Sequence, residues 1–265
     1  MTIHTILFTI VFNYLSLLLR CAVKINIINP NTSANMTRQI KQAAQQWAQT
    51  TTDIRCVSPD AGTPSVETCQ DEAIAAIGVM EQIRAGDHAG ADAHIVACFG
   101  DPGLDAAREL ASVPVLGIAQ AAFQTAQMLA SRFAVITTVP KATTFTRHLL
   151  RKYGADAQCA GVWAVNMPVL ALEEDTEHTF QTLRTQALIC IDKEDVDAVV
   201  LGCAGMTDLA DRLAQDLGIP VIDGVSVAVG MAEMLVQRRL RTSTRGIYAP
   251  VAPKPYSGWS APLAG

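Results

Sequence analysis

Two stretches decide the fold: Ile95-Val-Ala-Cys98-Phe-Gly100 and Val200-Leu-Gly-Cys203-Ala-Gly205. Each is an apolar run closing in Cys-x-Gly, and the two cysteines stand 105 residues apart. The agreement continues outward. Leu104-Asp-Ala-Ala-Arg-Glu-Leu110 matches Leu209-Ala-Asp-Arg-Leu213, and Val113-Pro-Val-Leu-Gly117 matches Ile219-Pro-Val-Ile-Asp223. Helical patterns over 122–129 and 229–235 follow, and 25–30 and 134–140 read as the two opening strands. Self-similarity of this kind marks a structural unit used twice.

Between these landmarks, short β-rich runs alternate with longer helical patterns. Strands are expected over 24–29, 53–57, 94–97, 115–118, 133–137, 160–164, 198–202 and 221–222. Helices are expected over 33–49, 66–85, 102–111, 119–131, 143–153, 173–193, 207–217 and 225–239. Such alternation predicts an α/β protein with mainly parallel sheets. The strands are nearly continuous apolar runs, as expected when helices cover both sheet faces. The reading is two pseudo-symmetric lobes, each a mainly parallel sheet flanked by helices, with the active site in the cleft between them. Residues 23–118 form the first lobe and 119–224 the second. Residues 225–265 supply a helix returning to the first lobe and a Pro-rich tail.

Composition narrows the function classes. Of 265 residues, half are hydrophobic and 17% charged, which excludes a disordered chain. The net charge is −5 and no Lys/Arg-rich run occurs, so nucleic acid is not an expected partner. Seven cysteines form no CxxC, which argues against a disulfide framework and a structural zinc site. The five histidines, 4, 88, 94, 148 and 178, lack metal-ligand spacing. GxSxG, GxGxxG and GxxxxGK[ST] are absent, so no cofactor or metal is expected. Residues 1–19 carry no Asp, Glu, Lys or Arg, and Arg20 is the first charge. That stretch just reaches membrane-spanning length. It lacks a basic n-region, and Arg20-Cys21-Ala22 is no small-residue cleavage site. Residues 1–22 are read as a consequence of the assigned start, with folded protein beginning near Val23. A membrane anchor and an export signal are the alternatives.

Ligands of α/β sheets bind outside the carboxyl ends of the strands, where Cys98 and Cys203 fall. Asp101-Pro102 reads as cap and first residue of one following helix, and Thr207 as the cap of the other. Each thiol would then lie near a helix N-terminus that favours a thiolate. Glycine two residues after each cysteine lets the backbone approach a ligand closely. Two related lobes would hold their thiols on opposite sides of a small molecule. One thiolate takes a proton from one face of a carbon while the other thiol delivers one to the opposite face. Cysteine suits this, its reference pKa being roughly 8.5. A strand-end cysteine alone is more often a small buried hydrophobe. Equivalence in a repeat weighs against that for this pair, whereas Cys21, Cys56, Cys69, Cys159 and Cys190 read as packing.

Three loops should complete the pocket. In the first, Asn29-Pro-Asn31-Thr32-Ser33, side chains divide between substrate binding and capping the next helix. In the second, Thr63-Pro-Ser65-Val-Glu67, Ser65 is a cap with Glu67 in the first turn, or a substrate contact. Thr137-Thr138-Val-Pro140 is the second-lobe counterpart of the first. The substrate-binding candidates are Asn29, Asn31, Thr32, Ser65, Phe99, Gly100, Thr137, Thr138, Ala204 and Gly205.

Ile28-Asn-Pro-Asn-Thr-Ser33, Ala97-Cys-Phe-Gly-Asp-Pro-Gly103, Leu201-Gly-Cys-Ala-Gly-Met206 and Tyr248-Ala-Pro with Lys254-Pro-Tyr-Ser-Gly258 carry a resemblance. Together they resemble the hydantoin/allantoin racemase branch of the aspartate/glutamate racemase superfamily, over about residues 23–258. The resemblance implies cofactor-independent racemisation at C5 of a 5-substituted hydantoin, allantoin being one such substrate. It makes Cys98 and Cys203 the acid/base pair, and implies a soluble homo-oligomer acting on a small molecule; the cysteine usage makes a cytoplasmic location the expectation. Amino-acid racemases of the superfamily usually carry Asn-Thr after the first cysteine, where this chain has Phe99-Gly100. That difference favours a neutral ring over a free amino acid. The C5–H of a hydantoin, between a carbonyl and a nitrogen, is also the more acidic, and loop N–H groups would stabilise the enolate. Alternatives are an amino-acid racemase, isomerase or decarboxylase of the same fold, and a non-catalytic two-lobed solute-binding protein.

Overall fold

Four central runs, 25–28, 93–96, 133–137 and 198–201, are buried throughout, as strands covered on both faces must be. They belong to two sheets in a computed structural model that describes residues 23–250, 252, 254–258 and 260. The first sheet holds β1 (Val23–Ile28), β2 (Thr52–Val57), β3 (Ala93–Val96) and β4 (Val115–Gly117), in the order β2-β1-β3-β4. The second holds β5 (Phe133–Thr137), β6 (Cys159–Ala164), β7 (Ala198–Leu201) and β8 (Val221–Asp223), in the order β6-β5-β7-β8. Every pairing is parallel. The repeat in the sequence is therefore a repeat of topology. In each sheet the order reverses between the first and third strands, β1/β3 and β5/β7. That crevice is where open α/β sheets bind ligands.

The crossover helices are α1 (Ala34–Trp47), α2 (Cys69–His88), α3 (Leu104–Leu110), α4 (Ile118–Leu129), α5 (Pro140–Lys152), α6 (Thr176–Glu194), α7 (Ala210–Leu217) and α8 (Gly224–Gln237). Ser33 caps α1 as expected, its hydroxyl accepting the Met36 N–H. α2 starts later than its apolar pattern suggests. Thr68 is its cap and Asp71 answers in a capping box, so Ser65 caps nothing. The displaced residues form a loop at the carboxyl end of β2.

Two other cap assignments are corrected. α3 begins at Leu104 behind Gly103, whose φ is 68°, so Asp101 is not its cap. Asp101 instead receives the N–H groups of Ala119 and Gln120, at 3.1 and 3.0 Å, in the first turn of α4. The reason lies in the repeat. Asp223 caps α8 directly, but position 117, its equivalent before α4, is glycine. The Asp101 carboxylate fills the space that a side chain at Gly117 would need. Thr207 is not a cap either. It lies inside a 3-10 helix (Ala204–Leu209) and donates to Ala204 O at 2.9 Å, and α7 begins only at Ala210.

The helix after the last strand of each sheet crosses over: α4 packs on β7 and β8, and α8 on β1, β3 and β4. α4 and α8 also pack on each other. Glu233 of α8, 4% exposed, accepts the Gln49 N–H at 2.8 Å and the Thr52 hydroxyl at 2.5 Å. The apolar extension of residues 1–22 lies outside the described residues. Among the described residues no helix is long and apolar enough to cross a membrane.

Candidate active site

At the carboxyl ends of β1, β3, β5 and β7 lies a pocket. Cys98 and Cys203 both line it, one from each sheet. Each follows its strand at the same distance, β3 ending at Val96 and β7 at Leu201. Around them stand Phe99 and Gly100 after β3, Thr137 and Thr138 at the end of β5, and Gly202 and Ala204 after β7. The site is thus assembled from equivalent positions of the two sheets.

The expectation of a thiolate beside a helix N-terminus does not hold for Cys98. A turn closed by Asp101 N–H on Cys98 O separates it from α3. Burial pushes its thiol well above the ordinary cysteine range. The Gly100 N–H opposes this, and negative charge on Cys203, Glu72 and Asp101 adds to it. Cys203 differs in setting, standing at the head of the 3-10 helix, where its carbonyl accepts the Met206 N–H at 3.1 Å.

Behind Cys98 stand two acids, Asp101 buried and Glu72 half-buried. Burial raises the Asp101 carboxyl to about 6, against the donors Ala119 N–H, Tyr153 O–H and Gln120 N–H. The Tyr153 hydroxyl donates to it at 2.9 Å. Burial, and then the charge of Asp101, raises the Glu72 carboxyl. Glu72 lines the pocket from α2. A Cβ on Gly100 would lie 2.5 Å from Glu72 Oε1, so the missing side chain at position 100 leaves this carboxyl its place. Glu67, also on the wall, accepts the Val169 N–H at 2.9 Å. It thereby ties the loop after β2 to the 3-10 turn (Val169–Glu173) that follows β6. No Lys, Arg or His lines the pocket among the described residues.

Of the candidate binding residues, Asn31, Phe99, Gly100, Thr137, Thr138 and Ala204 line the pocket. Asn29, Thr32, Ser65 and Gly205 do not. Asn29 is scaffold: its amide donates to Asn31 Oδ1 at 2.8 Å and Thr37 Oγ1 at 3.0 Å. Thr32 is spent on the neighbouring loop, donating to Thr63 O at 3.3 Å. Ser65 offers its carbonyl to Thr63 Oγ1 at 2.6 Å. Gly205 backs Cys203, its missing side chain leaving room beside Sγ. Phe99 is as much core as wall, meeting Phe123 edge-on with ring centroids 5.4 Å apart. Glu72, Met36, Phe145 and Thr146 line the pocket without having been singled out in the sequence. Only the bare Gly100 hinted at Glu72, as a space to be filled from elsewhere.

Cys190 is buried and Cys56 and Cys159 pack half-buried against the core, as expected, while Cys21 lies outside the described residues. Burial raises Cys56 to about 12 and Cys159 to about 11. Cys69 is instead exposed. None of the six described cysteines is in a disulfide. His94 is buried, with Nε2 2.8 Å from Asp87 Oδ1 and its pKa lowered by that burial.

Two parallel sheets of the same strand order, with a thiol from each at a shared cleft, define a racemase-type fold. The sequence model of the Asp/Glu/Hydantoin racemase family matches residues 25–232, and the chain belongs to that family. It is an isomerase of the racemase type. A hydantoin racemase of Rhizobium meliloti is 44% identical over 225 residues, which cover 85% of this chain and 93% of that one. The structure of an allantoin racemase from Klebsiella pneumoniae is 49% identical, with a TM-score of 0.89 over 91% of this chain and 98% of that one. An allantoin racemase from Pseudomonas fluorescens is 36% identical, with a TM-score of 0.85 over 89% of this chain and all of its own.

Proposed function

We propose that this protein racemises 5-substituted hydantoins, allantoin among them, at C5 without a cofactor, with Cys98 and Cys203 as its two acid/base groups. One observation carries the reading: two thiols at equivalent strand ends face one pocket that, among the described residues, no cationic side chain lines. A carboxylate substrate would meet Glu67 and Glu72 there with no countercharge among the described residues. A neutral ring brings no negative charge to be opposed there. The names of the relatives point the same way.

Burial favours the protonated form of Cys98, so this reading takes Cys98 as the acid and Cys203 as the thiolate. Cys203 takes the C5 proton, the electron pair passes into the adjacent carbonyl, and Cys98 protonates C5 from the opposite face. The pair holds one proton before and after, with its position exchanged. The opposite enantiomer therefore runs the same steps backwards. Backbone amides after the two cysteines are the donors for the enolate oxygen. The reading also takes 23–118 and 119–224 as the two lobes. It makes the protein a cytosolic homo-oligomer, the reduced compartment suiting a thiol pair.

In D₂O, either enantiomer of allantoin should lose optical rotation while C5–H exchanges for deuterium. Cys98→Ser and Cys203→Ser should each lower racemisation by about 10²-fold or more, since serine is a far weaker acid. Full racemisation in either variant overturns the two-thiol assignment.

A further inference from the structure

The proposed reaction uses the two thiols but leaves Glu72 idle. Its carboxylate stands on the pocket wall next to Gly100, two residues from Cys98. It accepts no hydrogen bond among the described residues, whereas the other acidic wall residue, Glu67, is occupied by Val169 N–H. Asn31 is likewise occupied, by Asn29, Ser33 N–H and Met36, and the Thr137 hydroxyl donates to Gly202 O. A half-buried carboxylate with both oxygens open is costly unless donors replace the water it has lost. Besides the hydroxyls of Thr138 and Thr146, this wall therefore leaves a ligand one two-oxygen acceptor, Glu72.

The geometry of possible donors then discriminates. In a hydantoin ring, N1–H and N3–H flank the C2 carbonyl and diverge, so one carboxylate cannot receive both. An exocyclic ureido group presents its N–H and one terminal N–H in parallel. That fork matches a carboxylate in the way a guanidinium does. Resting on the reaction proposed above, we infer that Glu72 is a specificity-determining residue that receives the paired N–H donors of a ureido substituent at C5. It would thereby select ureido-substituted hydantoins over those bearing a hydrocarbon.

The test compares allantoin, which carries the ureido fork, with 5-benzylhydantoin, which has no exocyclic N–H. Racemisation of each is followed by optical rotation and deuterium uptake for wild type, Glu72→Gln and Glu72→Asp. Glu72→Gln should lower kcat/KM for allantoin by about ten- to a hundredfold, mainly through KM, and leave 5-benzylhydantoin within about threefold. Glu72→Asp keeps the charge but retracts it, and should fall between the two. It also serves if the glutamine variant does not fold, which circular dichroism would show. Equal losses on both substrates, or none on either, overturn the inference and leave the reaction standing. A wild-type enzyme that racemises neither substrate overturns the reaction and the inference together.

Discussion

Cys98 and Gly100 show how much one position can be asked to do. The cysteine was legible because it recurs with the same neighbours 105 residues later. Glu72 was not, because nothing in a helix pattern marks which acidic residue turns toward a pocket. Its place depends on Gly100, where a Cβ would stand 2.5 Å from Glu72 Oε1 and 3.3 Å from its Cδ. The obstacle is the end of a flexible side chain, so Gly100→Ala should be tolerated by the fold. Its unfolding free energy should stay within about 1 kcal/mol of wild type in urea titrations. The displaced carboxyl should nevertheless change the ratio of kcat/KM for allantoin over 5-benzylhydantoin. An unchanged ratio would show that the crowding at Gly100 has no consequence for the substrate.

α1 starts where the apolar pattern places it, because Ser33 caps it, whereas α2 waits for the capping box of Thr68 and Asp71, and α5 starts early at Pro140. α4 starts within one residue of its pattern, yet its cap comes from afar. Asp101 reaches the start of α4 across 18 residues, and no rule of local spacing reveals that. The arrangement has a pH signature. Burial raises its carboxyl from 3.8 to about 6 in the folded protein, so the native state binds this proton more tightly than the unfolded chain. The stability from this group is complete below its unfolded pKa and is lost as pH rises through the folded one. Asp101→Asn removes the titration. The stability of wild type relative to that variant should therefore fall by about 3 kcal/mol between roughly pH 4 and 7. Urea unfolding at stepped pH measures it, and a difference that grows with pH contradicts the assignment.

At the scale of the whole molecule, the exchange of α4 and α8 joins the two sheets. Gly117-Ile118 and Asp223-Gly224 are equivalent in the repeat, and their helix starts touch. Residues related by the repeat can meet only near the axis that relates the halves. A Cβ on Gly224 would lie 2.5 Å from Ile118 O and 2.8 Å from Ile118 Cβ, both held by backbone. Gly224→Ala should thus cost about 2–3 kcal/mol in urea unfolding, more than Gly100→Ala. Racemisation should fall with it, because the two thiols come from the halves this contact aligns. Equal stability of the two alanine variants would refute the contrast. The sequence by itself determined the α/β class, the duplicated topology and the two cysteines, because hydrophobic periodicity and repetition are local and survive in one dimension. Only the tertiary structure decided that Glu72 fills the space at Gly100, that Asp101 caps a helix it does not precede, and that Asn29 and Thr32 are scaffold. Those roles depend on which side chains fill a given volume and which N–H groups lack a partner there, and chain order records neither.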